Sequence, residues 1–383
     1  MTPNSLKLSV VAVLATLVIG CGSGSDDTVT NPAPNALSVA APAAVYTMTN
    51  DQTANAIREY RRNTNGTLTF VADYPTNGRG SGDGLNGSTN ALHFDSSTNR
   101  FYAVNAGDNT ITAMSLATDG KLSALSTLSS GGIRPISVTA FGDLIYVLNA
   151  GDGNVAANIS GFRLTGGQLT ALEGSTRALS AANPNPAQIE FAPNGTILVV
   201  TERDTNLIST FNVGSNGKPQ SAQAQASNGK TPFGFDFTNG GVLIVSEAQA
   251  AAVGASTLSS YDLGADGKLT TISNSVPSGQ TAACWMVVNR FAPYAYVTNT
   301  AVDSISIYQV DLSGELSLPE NGDSAATGDA PVDLAISSDG QFLYTLNTGD
   351  DSISVYSIGS EGRLTPTTGV DNLPANSVGL VAR

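Results

Sequence analysis

Asp266-Gly267-Lys268-Leu269 decides the fold, because six other stretches of the chain repeat its pattern. They are Asn65-Gly66-Thr67-Leu68, Asp119-Gly120-Lys121-Leu122, Gly166-Gly167-Gln168-Leu169, Asn216-Gly217-Lys218-Pro219, Ser313-Gly314-Glu315-Leu316 and Glu361-Gly362-Arg363-Leu364. The central glycines are spaced by 54, 47, 50, 50, 47 and 48 residues, the differences between those positions. Asp-Gly and Asn-Gly fit tight hairpins, which need a positive φ that Gly adopts without a Cβ clash. Upstream of each lies a β-rich run ending in Asn or Glu, such as Phe101-Tyr102-Ala103-Val104-Asn105, then a polar turn and a second run such as Ser304-Ile305-Ser306-Ile307-Tyr308. Further upstream a Pro opens another strand in several units: Pro135, Pro186, Pro232 and Pro331. Four strands repeated every 50 residues or so are the signature of a propeller blade. Seven units predict an all-β, seven-bladed β-propeller.

The ends of the body complement each other. The first unit starts at Val45-Tyr46-Thr47-Met48-Thr49-Asn50 and lacks an innermost strand, and Ser377-Val378-Gly379-Leu380-Val381-Ala382 matches the missing piece. A C-terminal strand completing the first blade would remove an open sheet edge. The predicted domains are a leader over 1–20, a flexible tether over 21–43 and a propeller over 44–383. Across the 383 residues, 40 Gly and only 13% charged side chains suit many turns and blade faces buried on both sides. The net charge of −14 argues against nucleic acid, whose phosphates demand Lys and Arg patches. No stretch of the body is apolar over the 18 or more residues of a membrane span. A monomer is expected.

The N-terminus reads separately. Lys7 precedes an apolar run from Leu8 to Ile19, followed by Gly20 and Cys21. About a dozen apolar residues suit the h-region of a signal peptide. Val18-Ile19-Gly20-Cys21 resembles the bacterial lipobox, which implies lipidation of Cys21 and a body anchored in the cell envelope outside the cytoplasm. Gly22 rather than Asp after the Cys favours the outer membrane under Gram-negative sorting. Gly22 to Pro42 is small and polar, a flexible tether. With Cys21 lipidated, Cys284 has no partner for a disulfide, and its apolar setting, Ala282-Ala283-Cys284-Trp285-Met286, predicts a buried thiol. The single histidine, His93, falls mid-strand, aligned with Ala335, and is expected to be structural and hydrogen-bonded. One His and no Cys pair offer little for zinc, haem or a Ser-His-Asp triad.

Tyr296-Val297-Thr298-Asn299-Thr300, the run Ser304–Tyr308 and the Gly hairpin together resemble the lactonase-type seven-bladed propellers, over the whole body from Val45 to Arg383. That family includes 6-phosphogluconolactonase and 3-carboxy-cis,cis-muconate cyclising enzymes, and its fold also hosts non-enzymatic surface propellers with Tyr-Val-Thr-Asn repeats. The cyclising enzymes use His, Arg and Glu around the channel, and no His stands here at the matching rim. The resemblance implies a lactonase-like hydrolase acting on a small sugar or carboxylated lactone at the channel mouth. The alternative is a non-enzymatic, surface-tethered binding propeller.

A position on the channel rim recurs once per blade, so departures from its consensus are informative. After the second strand the ring reads Asn50, Asn105, Asn149, Glu202, Glu247, Asn299 and Asn347. Asn is a good turn residue, whereas Glu202 and Glu247 in adjacent blades surrender that chemistry. A carboxylate pair would hold one proton more tightly and serve as base and acid. Arg203 and Arg134 are the candidate cations for a developing oxyanion. Ca²⁺ on Glu202, Glu247 and ring amides is a further option; no organic cofactor is expected. The segment Asn77 to Gly87, rich in Gly, is read as a mobile rim loop over the mouth.

Metabolic labelling with a fatty acid tests the anchor: wild type should incorporate label and Cys21→Ser should not. Equal labelling of both would refute it.

Overall fold

The structure, a computed structural model, describes residues 41–85, 88–319 and 324–383. The leader, Cys21 and most of the tether lie outside these residues. The described chain forms seven antiparallel sheets; six are built outward from an inner strand in sequence order, and blade 1 takes its inner strand from the C-terminal segment. The inner strands are Val378–Ala382 for blade 1, then Leu92–Asp95, Pro135–Phe141, Pro186–Phe191, Pro232–Phe237, Ala283–Val288 and Pro331–Ile336 for blades 2 to 7. Each lies against the inner strands of its two neighbours, and the ring closes from blade 7 through Val378–Ala382 to blade 2. Blades 3 and 6 carry an additional short outer strand, Arg177–Ala178 and Ser324–Ala326, each paired with the blade's third strand.

Closure of blade 1 follows the sequence reading. Val45 pairs with Ala382 and Thr47 with Leu380, and the Ala44 and Arg383 backbones exchange bonds of 3.1 and 2.9 Å. The Arg383 guanidinium donates to the Pro42 and Ala41 carbonyls at 2.7 and 2.6 Å, fixing the approach to the first strand.

The seven hairpin glycines all have positive φ, between 71° and 93°. At Gly362 a Cβ would also sit 2.5 Å from the Tyr294 ring, so both conformation and space demand Gly. These hairpins pack on the preceding blade. Tyr146 Oη of blade 3 donates to Gly217 O at 2.8 Å, Tyr296 to Gly362 O at 3.0 Å and Tyr344 to Gly66 O at 3.3 Å. Blades 4 and 5 have Val199 and Ile244 where the others have Tyr. There the cross-strand partners, Thr210 and Ser260, supply the hydroxyl to Gly267 O and Gly314 O at 2.7 and 2.6 Å. The repeated motif is therefore the clamp at five of the seven junctions between blades; the Tyr46 and Tyr102 hydroxyls of blades 1 and 2 find no hydrogen-bond partner among the described residues.

A second repeated feature points the chain into the ring. Just before each inner strand opens, one residue adopts left-handed φ: Asn90, Arg134, Asn185, Thr231, Ala282, Ala330 and Asn376, at 52° to 65°. Arg134 is the one cation at this position.

Removing Ser377 to Arg383 should abolish cooperative unfolding at the parent Tm or drive aggregation, since it exposes the inner edges of blade 1. A truncated protein melting with the parent would contradict closure by this strand.

Candidate functional site

The ring position after the second strand is occupied by fully buried side chains, the two glutamates included. In blades 2, 3, 6 and 7 the Asn amide stitches the second strand to the third, whereas Asn50 of blade 1 bonds to Ser81 and to Asn376 O. Asn299 Nδ2 donates to Ser304 and Ser306 Oγ at 3.1 and 2.9 Å, and Asn347 Nδ2 to Ser352 and Ser354 Oγ at 2.8 and 2.9 Å. The glutamates perform the same stitch with reversed polarity. Glu202 Oε1 accepts from Ser209 Oγ at 2.5 Å and Ser180 N at 3.3 Å, and Oε2 from Thr205 Oγ1 at 3.2 Å and from Ser180 Oγ. Glu247 Oε1 accepts from Gly229 N and Ser259 Oγ, each at 2.7 Å, and from Ser227 Oγ at 3.1 Å. Its Oε2 accepts from Thr257 Oγ1 at 2.5 Å and Ser275 Oγ at 3.1 Å. Through Ser180, Ser227 and Gly229 the glutamates also hold the connection arriving from the preceding blade, as Asn149 Nδ2 does at Ser130 O, 3.2 Å away. The two networks share no residue, so the structure does not bring Glu202 and Glu247 together as a pair. Among the described residues no group of three or more His, Cys, Asp or Glu converges as a metal site.

The two arginines do meet. Arg134 and Arg203 line one cavity of about 330 Å³ at the rim of blades 3 and 4, with Asn183, Asn185, Asp152 and Asp204. Cys284 is buried and unpaired, as expected, and burial pushes its thiol up to about 11.

The chain turns inward at the end of the Gly-rich connection from blade 1 to blade 2. Leu85 is buried, and the segment that follows reaches the inner strands of three other blades. Ser88 Oγ donates to Ile136 O, Thr89 N to Ala187 O at 3.2 Å, and Trp285 Nε1 to Ser88 O. Thr89 Oγ1 donates to Gln188 Oε1 at 2.6 Å. These contacts carry residues 88 and 89 across the ring between blades 3, 4 and 6.

Thr89 also borders the larger cavity, about 460 Å³, lined by inner strands of blades 1, 2 and 4 to 7. This is the central channel, and its polar lining was not among the sequence candidates. His93, Glu190 and Asp236 stand opposite Tyr102, Val199 and Ile244, three residues before the ring position in blades 2, 4 and 5. They form one layer. Asp236 accepts from Arg290 Nη2 at 2.7 Å and from the backbone of Val288 and Phe237 at 2.8 and 2.7 Å. Glu190 Oε2 accepts from Gln188 Nε2 at 2.9 Å and Asn90 Nδ2 at 3.5 Å. Its Oε1 has no partner among the described residues. Burial, reinforced by the Asp236 charge, pushes the Glu190 carboxyl up to about 8, against the pull of Arg290. Asp333 is also raised to about 8 by burial. Burial drives His93 down to about 4, keeping its imidazole neutral. Contrary to the expectation of a hydrogen-bonded structural histidine, His93 lines the channel and its ring meets no hydrogen-bond partner among the described residues. A column through the repeats at this inner-strand position reads His93, Thr139, Glu190, Asp236, Val287, Ala335. Four successive polar residues at this position, followed by Val287 and Ala335, are the signal that locates the site.

Family comparison supports the same architecture. The description "Lactonase, 7-bladed beta-propeller" matches residues 156–288 and 286–378. The chain belongs to this lactonase propeller family. No curated protein matches the chain. Among solved structures, a "putative 6-phosphogluconolactonase" from Bacteroides uniformis superposes with TM-score 0.72 at 19% identity, covering 89% of this chain and 99% of that one. The periplasmic gluconolactonase of Pseudomonas aeruginosa gives 0.68 at 16% identity, with 88% and 98% covered. A Lactobacillus plantarum protein gives 0.70 at 18%, with 89% and 99% covered. At such identities the likeness is one of fold.

Because Glu247 accepts from five donors, Glu247→Leu in this lactonase propeller should lower unfolding free energy by at least about 3 kcal/mol, and Glu247→Gln by about 1–2 kcal/mol. Urea unfolding measures both. An unchanged midpoint in Glu247→Leu would remove the stitch from the account.

Proposed function

We propose that the protein hydrolyses a small sugar lactone or carboxylated lactone, and that the reaction takes place in the central channel. The observation that carries this reading is Glu190, a channel-facing carboxyl with one unpartnered oxygen and a raised pKa, in a layer that also contains the Asp236–Arg290 pair. A general base works best when its pKa lies near the operating pH. Ionised Glu190 takes a proton from water as the oxygen attacks the lactone carbonyl carbon. Arg290 stabilises the oxyanion that develops. Collapse breaks the acyl C–O bond of the ring, and Glu190 returns its proton to the departing alkoxide, leaving a hydroxy acid. Asp236 is a positioning residue, holding the guanidinium of Arg290. Neutral His93 offers a hydrogen bond without adding charge.

On this reading Arg134 and Arg203 stand apart from the reacting carbonyl, and Glu202 and Glu247 act through the stability of their blades. The proposed anchor at Cys21 would place the channel where unphosphorylated lactones, rather than 6-phosphogluconolactone, are the available substrates.

Acid release from a panel of lactones tests the activity. Glu190→Gln should lower kcat/KM by about 10² to 10⁴, and Arg290→Gln by about 10² to 10³, with folding intact. Glu190 is active when ionised, so kcat/KM, corrected for spontaneous hydrolysis, should rise with pH through about 8. Asp236→Asn removes a like charge and leaves Arg290 to Glu190, so the inflection should move to lower pH. Turnover indifferent to Glu190→Gln would place the chemistry elsewhere. Failure to open any lactone would leave the binding propeller as the function.

A further inference from the structure

The cavity of Arg134 and Arg203 has no duty in the proposed reaction, yet both arginines break the sevenfold pattern. Where Arg134 stands, the other blades have Asn90, Asn185, Thr231, Ala282, Ala330 and Asn376. Where Arg203 follows the ring residue, they have Asp51, Ala106, Ala150, Ala248, Thr300 and Thr348. Two independent substitutions to Arg in adjacent blades thus converge on one cavity of about 330 Å³.

Arg203 is held by neutral groups. Its Nε donates to Asn185 O at 3.1 Å and its Nη2 to Asn185 Oδ1, while its Cζ lies 4.9 Å from the centroid of the Phe233 ring. Among the described residues no carboxylate lies within ion-pair distance of it. Burial lowers its guanidinium pKa against the opposing pull of Cys284 and Asp204, and the like charge of Arg134 adds to the lowering. A half-buried guanidinium, oriented by two acceptors and a ring but left without an ion partner, is prepared for an anion. Arg134 is steered into the same space by its left-handed backbone, whose N–H is fixed by Asn109 Oδ1 at 2.7 Å. Its Nη2 donates to Asp83 Oδ2 at 2.9 Å. Asp83 belongs to the Gly-rich connection and is held in turn by Ser81 Oγ at 2.6 Å and Leu85 N at 3.1 Å.

The remaining polar lining limits the ligand. Asp152 Oδ1 accepts from the backbone of its own turn, Asn154 N at 3.0 Å and Val155 N at 2.8 Å, and Asp204 Oδ1 from Asn185 Nδ2 at 3.1 Å. Two carboxylates beside two guanidiniums repel polyanions, while they and Asn183 can take hydroxyl groups. A planar carboxylate matches the guanidinium fork. We propose that this cavity is a binding site for a small polyhydroxy carboxylate, a sugar acid, separate from the channel, with Asp83 as an internal competitor for Arg134.

The proposal stands independently of lactone hydrolysis, because it is tested by binding alone. Calorimetric titration of the full chain would use gluconate, with glucose and glucose 6-phosphate as the neutral and phosphorylated counterparts. Gluconate should bind and glucose should not. Arg203→Gln should weaken gluconate at least tenfold, and Arg203→Lys, which keeps the charge but loses the fork, should also weaken it. Asp83→Asn, which frees Arg134, should tighten it severalfold. Far-UV circular dichroism and Tm establish that each variant is folded, and Arg134→Gln serves should Arg203→Gln not fold. Absence of gluconate binding, equal binding by wild type and the folded arginine variants, or tighter binding of glucose 6-phosphate would each overturn the assignment.

Discussion

A propeller's inner strands lie side by side around an axis without joining into one sheet, so each presents an edge whose backbone groups must be satisfied by something else. In this protein the side chains of the preceding blade do it. Ser137 and Thr139 hydroxyls accept from Ile189 and Phe191 N at 3.1 and 3.2 Å. Gln188 bonds both ways to Phe235, at 2.9 Å to its N and 2.8 Å to its carbonyl, and Asp236 takes Val288 N at 2.8 Å. Thr201 Oγ1 donates to Phe233 O at 2.6 Å, and Ser246 Oγ to Cys284 O. The requirement for polar atoms at these edges brings polar side chains to the wall of the channel. Function needs only some of them to be released from that duty.

Glu190 is such a residue. Thr139 and Asp236, in the same layer of the ring, each satisfy a backbone N–H of the following blade. Glu190 bonds instead to Gln188 and Asn90 on one oxygen and leaves the other toward the channel. Its neighbours raise its pKa: burial and the Asp236 charge hold its proton, while Arg290 is kept close by Asp236. The channel therefore holds a titrating carboxyl and a fixed cation side by side, which few purely structural arrangements require.

The fold was legible in the sequence because the clamp between blades is local: at five of the seven junctions, a Gly hairpin whose carbonyl meets a hydroxyl from the blade before it. Even the exchange of Tyr for Val199 and Ile244 conforms, since the hydroxyl moves to the cross-strand partner. The site was legible in part. Arg134 and Arg203 were found as breaks in the repeat and share a cavity. Glu202 and Glu247 were breaks of the same kind, but a carboxylate among Ser and Thr donors stitches strands as well as an amide does, and a one-dimensional repeat cannot reveal those donors. The channel layer is harder to see, because a polar residue in the middle of an inner strand gives no sign of which side of the strand faces the channel. His93 illustrates this: mid-strand, yet on the channel side. Nothing in the composition of the Gly-rich connection announces that Ser88 and Thr89, just beyond it, find partners across the ring.

The account's central claim is that the reacting carbonyl sits in the channel, against the polar layer of blades 4 and 5. A crystal structure with a neutral, non-hydrolysable lactam analogue of a sugar lactone tests it most directly. The analogue should lie in the channel with its carbonyl oxygen at Arg290 and its carbonyl carbon facing Glu190. An analogue bound only in the cavity of Arg134 and Arg203, with the channel empty, would contradict it.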